Sequence, residues 1–200
     1  MQYLIGIDEA GRGPLAGPVA VGAVVVPHNF DWKLAAGVHD SKKLTAFQRE
    51  EWYRKIKEMQ RAGLLKFTVS FTTAATIDRR GIVHSIRDAL SRCLKKLSAL
   101  PHECEILLDG SLYAPQEFTM QKTIIRGDDL EPIISMASIV AKVRRDRLMI
   151  KMARLYPEYG FDAHKGYGTL AHRTEIMERG FCELHRTTFC TKLRIPENTV

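Results

Sequence analysis

An α/β fold, a mixed sheet with helices packed on it in one domain, is predicted by three features of this chain. Two apolar, β-branched runs open it, at residues 3–8 and at Val19–Val26. Helical stripes then alternate with short strand-like runs. Its 200 residues, 45% of them hydrophobic, suffice for one core without disulfides or a structural metal.

After the second run, Pro27 to Asp40 is read as a connecting loop. Thr45-Ala46-Phe47-Gln48 has the form of a capping box, opening a helix to about Ala62 that Gly63 stops. Leu64–Phe71 alternates as a strand. From about Thr73, the residues Ile77, Ile82, Val83, Ile86, Leu90, Leu94 and Leu97 form one helical stripe ending before Pro101. Glu105–Asp109 and Lys122–Arg126 are short strands, and Pro132 to about Leu155 is one long helix. Tyr156 to Thr169, rich in Gly, Pro and Tyr, is a loop, and Thr169–Glu178 a last helix with Gly180 as its stop. No internal repeat, low-complexity segment or linker interrupts the pattern.

Composition narrows the function classes. No uninterrupted apolar stretch reaches bilayer length, and the N-terminus lacks the basic-then-apolar order of a signal peptide, so no membrane and a cytoplasmic location are expected. Cys93, Cys104, Cys182 and Cys190 include no C-x-x-C pair and stand at no zinc-finger spacing from a histidine, so they are read as reduced thiols. A bound metal would then take oxygen ligands, which suits Mg²⁺ or Mn²⁺ rather than zinc. The formal charge of +7 favours a polyanion such as nucleic acid. A basic protein that still places acids at strand ends would repel phosphate there unless a cation intervenes.

Four carboxylates stand out by position. Asp8 and Glu9 end the first strand, and Asp109 ends the strand Glu105–Asp109. Asp146 shares one helix face with Ser138 and Lys142, at i, i+4 and i+8. Small residues Ser135, Ala137, Ser138 and Ala141 allow that helix close to the sheet. Phosphodiester cleavage needs an activated water and neutralisation at both the attacking and leaving oxygens, which two Mg²⁺ ions held by three or four acids provide. On position alone each acid has a plainer reading: a turn before glycine for Asp109, a surface ion pair for Asp146, a strand-ending loop for Asp8 and Glu9.

Gly11-Arg12-Gly13 is neither a dinucleotide fingerprint, since acids precede it and Pro14 and Pro18 interrupt any helix, nor a Walker loop, since no Gly-Lys-Ser/Thr follows. It reads as a nest of backbone N–H groups for a sugar-phosphate chain, or as a tight turn between strands. Lys42 and Lys43 precede a helix N-terminus, a place that suits phosphate. Tyr167, between glycines in a basic loop, could stack on a base or sugar or pack under its own loop. The seven histidines form no obvious pair with a lysine, as a metal-free ribonuclease would need.

Taken in order, Asp8-Glu9-Ala10-Gly11-Arg12-Gly13-Pro14-Leu15-Ala16-Gly17-Pro18, Asp40-Ser41-Lys42-Lys43-Leu44, Leu108-Asp109-Gly110, Ala137 to Asp146, Tyr159-Gly160-Phe161 to Thr169 and His185-Arg186-Thr187-Thr188-Phe189 resemble the motifs of bacterial ribonuclease HII over nearly the whole chain. The resemblance implies a ribonuclease H-like fold, a mixed five-stranded sheet flanked by helices, in one catalytic domain over residues 1–200. Residues from about 156 would form a C-terminal loop and helix packed on it. It further implies endonucleolytic cleavage of the RNA strand of RNA–DNA hybrids and of single ribonucleotides embedded in duplex DNA, with two Mg²⁺ or Mn²⁺ ions. The cut would fall on the 5′ side of the ribonucleotide and leave 3′-hydroxyl and 5′-phosphate ends.

The metal-binding acids fall on Asp8, Glu9, Asp109 and Asp146, the ribonucleotide-sensing loop on Gly11, Arg12 and Gly13, the stacking tyrosine on Tyr167 and the lysine motif on Lys42 and Lys43. The chain departs from the family at Arg79-Arg80-Gly81-Ile82 and at Ile134-Ser135-Met136, neither of which touches a motif acid. No sliding-clamp motif of the glutamine–double-aromatic kind is visible, and a monomer is expected. Two other classes stay open: a non-catalytic basic nucleic-acid-binding module, which gives no reason for acids at two strand ends, and a metal-dependent nuclease for branched DNA, which needs no 2′-hydroxyl sensor.

Overall fold

The computed structural model describes residues 1–38 and 44–193. In chain order its elements are β1 (Tyr3–Ala10), β2 (Val19–Pro27), α1 (Ala46–Arg61), β3 (Lys66–Thr72), α2 (Ala74–Arg80), α3 (Ile82–Lys96), β4 (Cys104–Asp109), β5 (Gln121–Ile124), α4 (Gly127–Leu130), α5 (Pro132–Ala153), α6 (Phe161–His164) and α7 (Leu170–Arg179). The five strands form one sheet in the order β3-β2-β1-β4-β5. β1 is antiparallel to β2 and β2 to β3, whereas β1–β4 and β4–β5 are parallel. The sheet is therefore mixed, as the alternation of patterns predicts.

Side-chain alternation along β1 divides the core. Ile5 and Ile7 face α3, joining Leu90, Ile106 and Leu108 in one buried cluster. The opposite face packs Val24, Val26 and Leu107 against α1 and α5 through Ile56, Ile133 and Val140. Burial of these apolar side chains, each worth about 1.5–3 kcal/mol, is what holds the layers together. α5 approaches the strands more closely than side chains would permit. A Cβ on Gly6 would lie 2.5 Å from the carbonyl carbon of Ile133, so helix and strand meet backbone to backbone.

Local signals account for most boundaries. Thr45 Oγ1 accepts from the Gln48 N–H at 3.2 Å and Gln48 Oε1 accepts from the Thr45 N–H at 2.8 Å, which is the capping box of α1. Thr169 caps α7 in the same way through its hydroxyl, and Gly180 ends it. The stripe from Thr73, read as one helix, is two. Gly81 has φ +78°, which ends α2 while its N–H still bonds to the Ile77 carbonyl, and α3 starts at once. The stripe survives the break because Ile77 and Ile86 enter the same cluster.

β1 runs two residues past Asp8, so Asp8 and Glu9 lie within the paired strand, opposite Gly22 and Val21. β5 stops at Ile124, short of Arg126, whose φ of +56° takes it out of extended conformation. Residues 156–169, read as a loop, hold the 3-10 turn Pro157–Tyr159 and α6, both too short to show a periodicity. No helix of the described residues is long and apolar enough to cross a membrane.

Candidate active site

The parallel pairing of β1 with β4 brings two acids together. Their last paired residues are Ile7 and Leu108, so Asp8 and Asp109 follow side by side at the C-terminal edge of adjacent strands. Asp8 is 4% exposed, accepts the Glu9 N–H at 2.7 Å and is hydrogen-bonded by the Ser138 hydroxyl of α5. Asp109 Oδ1 accepts the Asp128 N–H at 3.3 Å from α4. Glu9 Oε1 meets Arg12 Nη1 at 3.2 Å, while its buried Oε2 has no hydrogen-bond partner among the described residues. Asp8, Glu9 and Asp109 line a cavity of about 390 Å³ with Arg12, Lys142 and Tyr167.

Burial raises the Asp8 carboxyl well above the usual range, and the neighbouring charges of Glu9 and then Asp109 add to the rise. Burial raises Glu9 too, against the pull of the Arg12 guanidinium. Three acids crowded in this way favour any cation that can enter. Their donors are all carboxylate oxygens, and one of them, Glu9 Oε2, is buried with no partner among the described residues. That set fits a hard divalent ion such as Mg²⁺ or Mn²⁺. Among the described residues no three His, Cys, Asp or Glu side chains form a ready-made cage.

Asp146 stands beside this group rather than in it. Its Oδ1 pairs with Lys142 Nζ at 2.9 Å, one helical turn away on α5, as their i, i+4 spacing allows. It lines an adjoining cavity of about 610 Å³, and Lys142 and Tyr167 line both. The structure thus joins three of the four sequence-predicted acids and places the fourth next door, across a lysine.

The glycine turn between β1 and β2 is held by two arginines that sequence reasoning did not single out. Arg186 Nε donates to Gly17 O at 2.9 Å, Nη1 to Arg12 O at 3.0 Å and Nη2 to Gly11 O at 2.8 Å. Arg145 Nε donates to Pro18 O at 2.9 Å, Nη2 to Ala16 O at 3.2 Å and Nη1 to Lys165 O at 3.0 Å. Both residues are 0% exposed. Burial, then the neighbouring Arg145, pulls Arg186 down to about 9. Gly11 is required twice over, since its φ is +85° and a Cβ there would lie 2.7 Å from Arg145 Cζ. The only sequence signal for these roles was the place of Arg145 and Arg186 within two of the motifs, and Arg145 stands there among other charged residues of α5.

The Tyr167 loop docks on the same turn, because the N–H groups of Leu15 and Ala16 both donate to Gly166 O, at 2.9 and 3.2 Å. Tyr167 itself is 42% exposed, with Lys142 Nζ 5.6 Å and Arg145 Cζ 5.8 Å from its ring centre. Gly11, Arg12, Gly13 and Tyr167 therefore share the wall of the acid cavity. Lys42 and Lys43 lie outside the described residues.

A mixed five-stranded sheet with helices on both faces and acids at the ends of its central parallel pair is the architecture of the ribonuclease H class. This chain belongs to the ribonuclease HII family, whose profile matches residues 5–192. These are endonucleases that cut the RNA of RNA–DNA hybrids. Ribonuclease HII of Syntrophomonas wolfei is 40% identical over 188 residues, which cover 94% of this chain and 70% of that protein. The crystal structure of ribonuclease H2 from Pyrococcus horikoshii is 29% identical, with 93% of each chain covered and a TM-score of 0.73. A ribonuclease HII from Archaeoglobus fulgidus, solved in complex with PCNA, shares the fold at 22% identity, with 100% of this chain and 98% of that one covered and a TM-score of 0.76.

Proposed function

We propose that the protein cuts the RNA strand of RNA–DNA hybrids and also duplex DNA containing a single ribonucleotide, on the 5′ side of the ribonucleotide, leaving 3′-hydroxyl and 5′-phosphate ends. The observation that carries this reading is the shared cavity: Asp8, Glu9 and Asp109 on its floor, the Gly11–Gly13 turn and Tyr167 on its walls. Asp8, Glu9, Asp109 and Asp146 would hold Mg²⁺ or Mn²⁺, two ions in the active complex. Such ions, when bound, supply an activated water and neutralise charge on the attacking and leaving oxygens.

The chain's own groups do the rest. Ser138 holds the Asp8 carboxylate in place from α5. Arg12 and the flanking glycine backbone read the 2′-hydroxyl, because Arg186 and Arg145 occupy the carbonyl side of the turn and fix its shape. Tyr167 stacks on the sugar next to the ribonucleotide, and Lys142, between the two cavities, faces the phosphate chain. Lys42 and Lys43 would contact the backbone further along. The working state is a monomer in the cytoplasm.

The test compares three duplexes: all-DNA, DNA with one ribonucleotide, and a full hybrid. Cleavage of the second and third at the ribonucleotide's 5′ side, abolished by EDTA and by Asp8→Asn, is expected. A 2′,3′-cyclic phosphate product, full activity in EDTA, or equal cutting of all-DNA duplex would refute the reading.

A further inference from the structure

Three of the seven histidines, scattered at 164, 172 and 185, meet beneath the Tyr167 loop, where the proposed chemistry gives them no part. His172 is 0% and His185 4% exposed. The rings of His164 and His172 stack at 4.2 Å, and Phe161 and Tyr159 pack edge-on against the group.

Taken together, their shortest hydrogen bonds select one proton arrangement. The Cys182 N–H points at His185 Nδ1 at 2.9 Å, nearer than the Cys182 carbonyl oxygen at 3.3 Å, so that nitrogen accepts and Nε2 carries the proton. His185 Nε2 lies 3.2 Å from His172 Nε2, which must then accept, leaving the His172 proton on Nδ1. His172 Nδ1 in turn donates to the backbone carbonyl of Tyr167 at 2.9 Å. His164 accepts the Gly166 N–H on Nδ1 at 3.1 Å and donates from Nε2 to Tyr159 O at 2.6 Å. The bonds therefore run in one direction, from Cys182 through His185 and His172 to Tyr167. His185 also precedes Arg186, the residue that clamps the glycine turn.

We infer that His172 and His185 are positioning residues: a relay of two neutral imidazoles with fixed tautomers holds the Tyr167 backbone in register with the glycine turn and so sets substrate affinity. This rests on the proposed contact of Tyr167 with substrate. A single hydrogen bond at this point is worth about 1 kcal/mol, close to a fivefold change in affinity.

The experiment is a double-mutant cycle on the single-ribonucleotide duplex, reading KM and kcat separately. His172→Gln can still accept from His185 but is placed to lose the Tyr167 bond. It should raise KM about fivefold with kcat within twofold, and should have no effect on KM in a Tyr167→Ala background. His172→Asn, whose amide N–H takes the place of Nδ1–H, should keep KM within twofold. The same fivefold rise in both backgrounds, or an equal rise in His172→Asn, would overturn the relay while leaving Tyr167 as a substrate contact. An unchanged KM in Tyr167→Ala would instead remove that contact, and the relay with it. Nitrogen-15 NMR of the imidazoles gives an independent readout: His172 protonated on Nδ1 alone and His185 on Nε2 alone. Either ring in the opposite tautomer contradicts the arrangement.

Discussion

Replacing Gly6 by alanine perturbs the site without touching any group in it. The added Cβ would stand 2.5 Å from the Ile133 carbonyl carbon, and ordinary contact begins at 3.4 Å. Both partners are backbone, so no side chain can rotate away, and β1 and α5 must separate by about 0.9 Å. Overpacking of this kind costs about 1–3 kcal/mol. The relief of glycine's entropy in a strand returns about 0.5–1 kcal/mol. The net loss centres on about 1 kcal/mol, or roughly 2–4 °C in Tm for a chain of this size. Activity should suffer more, because β1 carries Asp8 and α5 carries both Ser138 and Asp146. A displacement near 1 Å between catalytic groups lowers rate by about a hundredfold. Thermal unfolding together with single-turnover cleavage measures both. Wild-type Tm and kcat in Gly6→Ala would refute the claim that this backbone contact sets the distance between helix and acids.

The raised carboxyl of Asp8 makes the metal-free protein less stable as pH rises above the ordinary carboxylate range, since the folded state holds that proton more tightly than the unfolded chain. Asp8→Asn should therefore raise Tm in EDTA near pH 7 while abolishing cleavage, and a lower Tm would contradict it. His172 and His185 have the opposite sign: burial lowers both from 6.5 to about 4, so their contribution is complete above pH 6.5 and lost as pH falls toward 4. Denaturant melts between about pH 7.5 and 4.5 should show that fall, and His172→Asn should flatten it; an unchanged slope would be evidence against. Arg186→Lys can replace only part of a three-carbonyl clamp and should cost about 2–4 kcal/mol in chemical denaturation. A loss under about 0.5 kcal/mol would show the clamp to be dispensable.

What the sequence revealed was local or periodic. The Thr45–Gln48 capping box needs only four consecutive residues, and the runs at Val19 and Glu105 announce strands by composition. Asp8 and Asp109 were legible as acids at strand ends, and the parallel β1–β4 pairing supplied their adjacency. Other features depend on distance in the chain. The bond from Arg186 to Gly11 O spans 175 residues and that from Arg145 to Ala16 O spans 129, and no window of sequence contains both partners. The histidine relay spans only residues 164–185, yet its bonds of 3, 5 and 13 residues follow no helix or strand period that a sequence reading could use. Gly81 shows the converse error: an apolar stripe can be continuous where the backbone is not, because two helices can serve one cluster. Asp146 was legible as a member of the Ser138–Lys142 face, but its pairing with Lys142 needed side-chain geometry.

Arg186 and Arg145 also fix an order of events during synthesis. The turn beside Asp8 leaves the ribosome well ahead of the guanidiniums that shape it, which bond to it across 129 and 175 residues. Contacts of such separation form late in folding, since a large loop must close before they can. A growing polypeptide therefore carries Asp8 and Glu9 well before the turn beside them can take its final shape, because that shape waits on Arg186.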